Sequence, residues 1–326
     1  MMQRLPTDRA GIARAAKWLR AGRLVAFPTE TVYGLGADAC NPAAVRHIFA
    51  VKGRPADHPV IVHLPVAAAM SEWAATVPAV AQRLAQAFWP GPLTLVLPRR
   101  ADVDSVVTGG QDTIGLRVPE HPVAQALLQA FGGGLAAPSA NRFGHVSPTT
   151  AEHVLSEFAD SDVAAVLDGG ACKVGLESTI VDVSSDCPRL LRPGMIAHEQ
   201  LQRVLGAPLA IAADDEGPRA SGRLISHYAP TAAVALVESA QLAASVAAAL
   251  SAGKRLRVLG YSTRPEAQTR FGWIDMPTAA TDYAKRLYAE LRRADSSNPD
   301  LIIIERPPDN SGWCAINDRL QRAAAA

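Results

Sequence analysis

The sequence predicts an α/β fold in two domains: a mixed sheet with flanking helices over residues 1–206, and a smaller parallel α/β domain over 232–326. A linker at 207–231 joins them. Three observations carry this reading. Short apolar, strand-like runs alternate with helical patterns along both parts, the element order that α/β sheets produce. In the first part the spacings mix hairpin-like and crossover lengths, so parallel and antiparallel pairs are both expected. Between the parts, Pro208, Asp214, Asp215, Glu216, Gly217, Pro218, Ser221, Gly222 and Pro230 make a polar, turn-rich stretch. At 326 residues, 48% of them hydrophobic and 19% charged, the chain can bury two cores without staples.

Each element follows from local pattern. Residues 8–21 place Ile12, Ala15, Ala16 and Leu19 on one helical face and stop at Gly22. Residues 24–27 read as a buried strand. Asn41 before Pro42 is an N-cap with proline at the first helical position, opening a helix through residue 50. Residues 60–64, 93–97 and 114–118 are strands, and imperfect alternation near 112–117 suggests burial on both faces. A helix follows at 122–131. Thr149 with Glu152 reads as a capping box for a helix through 158. Strands at 164–167, 179–183 and 189–191 close the first domain. After the linker come strand 233–237, a helix through 250, strand 256–260, a helix over 283–293 and strand 301–305.

Composition removes several function classes. Net charge is +1, from 32 basic and 31 acidic residues, which excludes a globally basic coat protein but leaves room for a local basic patch. Cys40, Cys172, Cys187 and Cys314 show neither CxxC nor Cys/His metal spacing, so a reducing cytoplasm is expected rather than a zinc ribbon or disulfide framework. The N-terminus carries Arg4, Asp8, Arg9, Arg14, Lys17, Arg20 and Arg23 without an apolar run, unlike a signal peptide. No stretch reaches the ~20 apolar residues of a membrane span. GxxxxGK[ST], GxSxG and HExxH are absent. Gly34-Leu35-Gly36 lacks a third glycine and reads as a polar loop.

What remains is a set of polar loops bounded by glycine and proline. Pro28–Leu35 offers Thr29, Glu30 and Thr31 after a buried strand. Lys52-Gly53-Arg54-Pro55 follows a helix, with two cations two apart that suit a polyanion or simply the helix dipole. His63 ends an apolar strand. Arg117 lies inside another, which calls for either a buried ion pair or a fork for a ligand carboxylate. Ala137-Pro138-Ser139-Ala140-Asn141 and Ser147-Pro148 supply small residues and hydroxyls; Glu177-Ser178-Thr179, Arg192-Pro193-Gly194 and His227-Tyr228-Ala229-Pro230 complete the set. Dispersed cations and hydroxyls at strand ends are what an anionic nucleotide site without a P-loop needs.

In this order, these strings resemble the threonylcarbamoyl-AMP synthase family, in its long form with a YrdC-like catalytic domain, a linker and a C-terminal domain. Phe88–Thr94 and Ala315–Leu320 add to the likeness. The resemblance implies a YrdC-like twisted mixed sheet followed by a Rossmann-like domain. It implies a nucleotidyltransferase that joins L-threonine, bicarbonate or CO2, and ATP into threonylcarbamoyl-AMP, releasing pyrophosphate, for tRNA threonylcarbamoyladenosine formation. It places Thr31, His63, Arg117, the Ala137 backbone and Ser178 on threonine. Arg54, His58, Thr113, Ser139, Ser147, Arg192 and Tyr228 fall on ATP, and Lys52, Arg54 and Asn141 on the phosphate and reacting groups. His58 stands where the family more often has asparagine. Magnesium would accompany ATP, with its protein ligands unassigned, and no organic cofactor is implied. Contacts with tRNA and with downstream transfer proteins are implied partners, a membrane is not, and Tyr228 suggests that the linker folds over the nucleotide. The competing readings are a carbamoyltransferase that forms carbamoyl-adenylate and a non-catalytic RNA-binding module.

Overall fold

The computed structural model describes residues 2–213, 216–224, 228–262 and 271–325. They divide into two compact units, Met1–Phe143 with Ser147–Arg223, and Gly144–Val146 with Leu224–Ala326. Residues 207–213 and 216–223 of the expected linker therefore belong with the first unit. Asp214, Asp215 and His227, read as linker residues, lie outside the described residues.

The first unit runs β1 (Gln3–Leu5), α1 (Arg9–Arg20), β2 (Leu24–Phe27), β3 (Gly34–Asp38), α2 (Pro42–Lys52), β4 (Ile61–His63), α3 (Ala79–Phe88), β5 (Leu93–Pro98), β6 (Thr113–Arg117) and α4 (Pro122–Phe131). It continues with β7 (Leu135–Ala136), α5 (Ala151–Glu157), β8 (Val163–Leu167), β9 (Thr179–Asp182), β10 (Arg189–Arg192), α6 (His198–Leu205) and β11 (Ala210–Ile211). The strands form one mixed sheet in the order β1-β8-β2-β3-β7-β4-β6-β5-β9-β10-β11. Its two faces bury different helices because side chains alternate along each strand. On β2, Leu24 and Ala26 join a core with α2, α3, α5 and α6, while Val25 and Phe27 join a second core with α1 and α4.

Caps place the loops that matter. Asn41 Oδ1 accepts from the Ala43 and Ala44 amides and Pro42 starts α2, as the sequence indicates. Gly53, at φ +64°, ends that helix in the left-handed conformation and sets Lys52 and Arg54 on its closing turn. The cap of α5 is one residue later than expected: Thr150, not Thr149, accepts from His153 N, so Glu152 is not at the third helical position. The expected loop at Gly34-Leu35-Gly36 is strand β3 instead. Its glycines are packing residues, since a Cβ on Gly36 would stand 2.8 Å from the Phe27 ring.

The second unit carries β12 (Ala233–Val237), α7 (Leu242–Ser251), β13 (Leu256–Gly260), β14 (Gly272–Asp275), α8 (Ala280–Asp295), β15 (Leu301–Glu305) and α9 (Cys314–Ala324). Its sheet, β12-β15-β13-β14, is wholly parallel. In the same unit Ala229 N donates to Gly144 O at 2.9 Å. Among the described residues no helix is long and apolar enough to cross a membrane.

Candidate active site

Helices leave one strip of the first unit's sheet uncovered. On β6, Ile114 and Leu116 enter the main core, so Thr113, Gly115 and Arg117 face the opposite side. There β4, β6, β5 and β9 offer Ile61, Thr94, Val96, Thr113, Gly115 and Ile180 as a floor, and Arg219, Ala220 and Ser221 lie across it. The cavity between them is about 20 Å³, room for a water but not for a nucleotide.

At one end of the strip, parallel pairing sets His63 beside Arg117. Arg117 Nε donates to Gly91 O at 3.2 Å, Nη1 to Thr31 Oγ1 at 2.9 Å and Nη2 to Glu30 Oε1 at 2.5 Å. Arg117 is 4% exposed and Glu30 2%, so the buried ion pair that the sequence left open is present. Glu30 Oε2 also accepts from Glu120 N at 3.0 Å. Three of the five guanidinium N–H groups thus have protein acceptors. Thr29 donates its hydroxyl proton to Val32 O at 2.6 Å, which makes Thr31 the donor in the 2.8 Å Thr29–Thr31 contact. Thr31 Oγ1, with its proton spent and one lone pair on Arg117, can accept from a ligand but not donate to it. Burial, and secondarily the Arg117 charge, push His63 down to about 3. The ring is therefore neutral, and its Nδ1 has no hydrogen-bond partner among the described residues.

At the other end, Ser178 Oγ contacts Thr94 Oγ1 at 2.8 Å, and Arg192 brackets Ser178 with Nε and Nη2 on its carbonyl at 3.1 and 2.8 Å. Ser221 sits between the two arginines assigned to ATP. Its carbonyl accepts from Arg192 Nη1 at 2.7 Å and its hydroxyl from Arg54 Nη2 at 3.1 Å. Arg54 also reaches Pro59 O at 2.8 Å. His58 meets Phe143 edge-on at 5.4 Å, and burial together with the Arg54 charge lowers its pKa. Ser147 donates to Glu177 Oε1 at 2.6 Å.

Lys52 is only 3% exposed. Its Nζ donates to Ser139 O at 2.6 Å and to Asn141 O. Burial, then Arg54, hold its pKa well below the usual lysine range. The Asn141 amide donates to Arg142 O at 2.7 Å. Ala137 N–H is spent on Ile61 O at 2.9 Å, so a ligand contact there falls to its carbonyl.

Two family models cover the chain: the Sua5, YciO and YrdC model, described as telomere recombination, over residues 17–194, and the threonylcarbamoyl-AMP synthase C-terminal domain over 196–325. The threonylcarbamoyl-AMP synthase of Pyrococcus abyssi is 37% identical over 320 residues, covering 95% of this chain and 93% of its own. That of Bacillus subtilis is 40% identical over 332 residues, covering 98% and 94%. The chain belongs to the threonylcarbamoyl-AMP synthase family. The crystal structure of P. abyssi Sua5 complexed with L-threonine superposes with a TM-score of 0.91 at 35% identity, covering 99% of this chain and 97% of that one.

Within this threonylcarbamoyl-AMP synthase fold, the first unit brings together Thr31, His63 and Arg117, joins Ser178 to Arg192, and ties Lys52 to the turn bearing Ser139 and Asn141. Thr113 lines the cavity. Tyr228 belongs to the second unit. It is 1% exposed, stacked on Tyr288 at 5.8 Å with the Arg319 guanidinium 5.2 Å from its ring, and its φ of +63° is left-handed. Sequence reasoning did not assign Glu30, Thr94, Glu177 or Ser221 to the site. For the two glutamates a signal existed, an acid within an otherwise apolar or hydroxyl-rich string. Ser221 carried none.

Proposed function

We infer that this chain is an L-threonylcarbamoyladenylate synthase: L-threonine, bicarbonate or CO2, and ATP give threonylcarbamoyl-AMP and pyrophosphate, and the product serves tRNA modification. The observation that carries the reading is the match of both domains, over 95% of the chain, to proteins of that name. The wide coverage of relatives by both domains favours this over the carbamoyltransferase and RNA-module readings. The P. abyssi threonine complex supports threonine as substrate.

The chemistry needs no protein nucleophile. The threonine amine adds to CO2 and loses a proton, giving a carbamate. A carbamate oxygen then attacks the α-phosphorus of ATP in line, and the bond to the bridging oxygen of pyrophosphate breaks. The protein's task is positioning and charge neutralisation. The two remaining Arg117 N–H groups suit the threonine carboxylate. Thr31 Oγ1, an acceptor only, suits the amine or hydroxyl. Neutral His63 offers Nδ1 as a hydrogen-bonding group without adding charge, and Ser178 and the Ala137 carbonyl bound the same space.

Arg54 and Arg192 are the cations for the triphosphate, with Thr113, Ser139, Ser147 and His58 assigned to the rest of the nucleotide. Because Ser221 accepts from both arginines, ATP would displace residues 219–221 to reach them, which is the behaviour of a lid. Lys52 acts through the 139–141 turn that it ties, and so presents Asn141. Magnesium would ride on the ATP phosphates and neutralise the departing pyrophosphate. Among the described residues no three acidic, imidazole or thiol groups converge, and this ion commonly takes its ligands from phosphates and water. The free thiols of Cys40, Cys172, Cys187 and Cys314 are in keeping with a cytoplasmic setting. Pyrophosphate release from ATP should require both threonine and bicarbonate, with serine a somewhat poorer substrate, since one methyl is worth ~1–3 kcal/mol. Equal turnover with carbamoyl phosphate and no threonine would overturn the assignment.

A further inference from the structure

In the second unit the strand order β12-β15-β13-β14 is parallel throughout. The step from β12 to β13 runs one way along the sheet, and the step from β14 to β15 runs back. Right-handed crossovers therefore put α7 and α8 on opposite faces. α7 shares a core with Val258 and Ile303. On the other face, Tyr283 of α8 meets Trp313, just before α9, edge-on at 5.3 Å, and α9 lies against β12. The chain thus leaves the neighbouring strands β12 and β15 toward opposite faces. At such a switch point a crevice opens beyond the carboxyl ends of the strands.

Glu305 ends β15 at that crevice and is fully buried. Its Oε2 accepts from the Tyr261 and Ser262 amides at 2.8 and 3.0 Å, which pins the turn after β13. Its Oε1 has no hydrogen-bond partner among the described residues, and no cation there pairs with the carboxylate. The adjacent guanidinium, Arg306, is taken by Glu238 at 2.5 Å. Burial opposes ionisation of Glu305, but the polar groups of Ser262, Ser239 and Tyr261 outweigh it and hold its pKa below the usual range. Tyr283 Oη, also fully buried, has no partner either, and burial and then the Glu305 charge raise its pKa. A buried acceptor left unpaired carries the full cost of its desolvation. Capping one turn uses Oε2 and leaves Oε1 unexplained; a donor that binds at the crevice explains it.

We propose that this crevice is a binding site for a neutral nucleoside, whose ribose hydroxyls donate to Glu305 Oε1. An acceptor-only carboxylate at a strand end matches a vicinal diol. Half-buried Tyr261, its hydroxyl fixed on Arg306 O at 3.0 Å, offers a ring to the base. The ligand enters past Ser239, which is exposed and 3.4 Å from Tyr261 Oη. Nucleotides fit less well. The turn after β12, Glu238-Ser239-Ala240-Gln241, has no glycine with which to cradle a phosphate, and Glu238 and Glu305 outnumber Arg306.

The test is equilibrium dialysis of the full-length protein with radiolabelled adenosine, with a nonhydrolysable ATP analogue in excess to keep adenosine out of the first unit. Saturable adenosine binding should remain. Glu305→Gln keeps an oxygen for the Tyr261 and Ser262 amides but turns the free acceptor into a donor, and should weaken that binding about ten- to a hundredfold. Should circular dichroism show that this variant misfolds, Ser239→Leu, a change at an exposed position, should block the entrance with a similar loss. The 2′,3′-dideoxy analogue of adenosine, which lacks both hydroxyls, should compete at least about tenfold more weakly than adenosine. Absence of saturable binding would overturn the proposal and leave Glu305 as the cap of the turn after β13. Binding unchanged in the folded variants, or equal competition by the dideoxy analogue, would overturn it as well.

Discussion

Replacing Arg117 with alanine removes one half of an ion pair in which neither partner reaches solvent. The carboxylate of Glu30 would keep its bond from Glu120 N but lose Arg117. Stranding a buried charge in this way typically costs about 3–5 kcal/mol. For a unit of this size each kcal/mol moves the melting temperature by roughly 2–4 °C, so a fall of about 10 °C is expected. Threonine use should suffer separately: losing a charge-assisted contact worth ~1.5–3 kcal/mol raises its KM about ten- to a hundredfold. The two effects can be parted. In Glu30→Gln/Arg117→Met the stranded charge is gone while an oxygen for Glu120 N remains, so most of the stability should return and the threonine KM should stay high. Melting curves and pyrophosphate release measured on the same preparations make the comparison. A single variant that melts within a degree or two of wild type would refute the energetic argument. A double variant that regains threonine affinity would refute the ligand role.

Neutral His63 makes a pH prediction. Its pKa is about 3 folded against about 6.5 unfolded, so between these values the unfolded state binds the extra proton. Stability is then complete above pH ~6.5 and lost as pH falls toward 3, by up to ~1.4 kcal/mol per pH unit from this group. His63→Gln should remove that share of the pH dependence, read from urea midpoints at pH 5 and 7. Ser221→Ala deletes a hydroxyl that accepts from Arg54 and donates to Pro59 O; with a charge-assisted contact of ~1.5–3 kcal/mol fewer to displace, the KM for ATP should fall about tenfold or more, and an unchanged or raised KM argues against a displaceable lid. Lys52→Met leaves two carbonyls unpaired, at ~1–3 kcal/mol each. It should lower both melting temperature and kcat, with no rescue by Lys52→Arg, whose planar head fits the enclosed Nζ position poorly; full rescue by arginine would point to a simple charge requirement.

The parts of the fold legible in the sequence are those whose stability is local. Asn41-Pro42 and Gly53 frame α2 because caps act within one turn, and the apolar runs at 24–27 and 301–305 became strands β2 and β15 because nothing else can bury them. Strand β3 was not legible because its glycines answer to Phe27, a contact made across the sheet. The capping residue of α5 slipped by one because Thr149 and Thr150 offer the same hydroxyl, and the choice was made by His153, whose Nδ1 takes the Thr149 amide while its own N–H goes to Thr150.

For the site, composition at strand ends indicated which residue types would gather, but not which would spend their hydrogen bonds on one another. Arg117 could be read as a fork for a carboxylate or as half of an ion pair, and the structure makes it the second while leaving two N–H groups for the first. Lys52 looked like a phosphate ligand from its spacing to Arg54, yet its ammonium is enclosed by the carbonyls of Ser139 and Asn141. Such distinctions are set by residues 80 to 170 positions away: Glu30 on Arg117, Ser139 on Lys52, Ser221 on Arg54. The last contact also gives the linker a physical role. A tether would be free to vary, whereas Ser221 presents a carbonyl and a hydroxyl to Arg192 and Arg54, the acceptors that a phosphate oxygen would otherwise supply. In the proposed reading, a neutral partner of this kind keeps two buried cations solvated by protein, and a triphosphate, with its greater charge, would displace it.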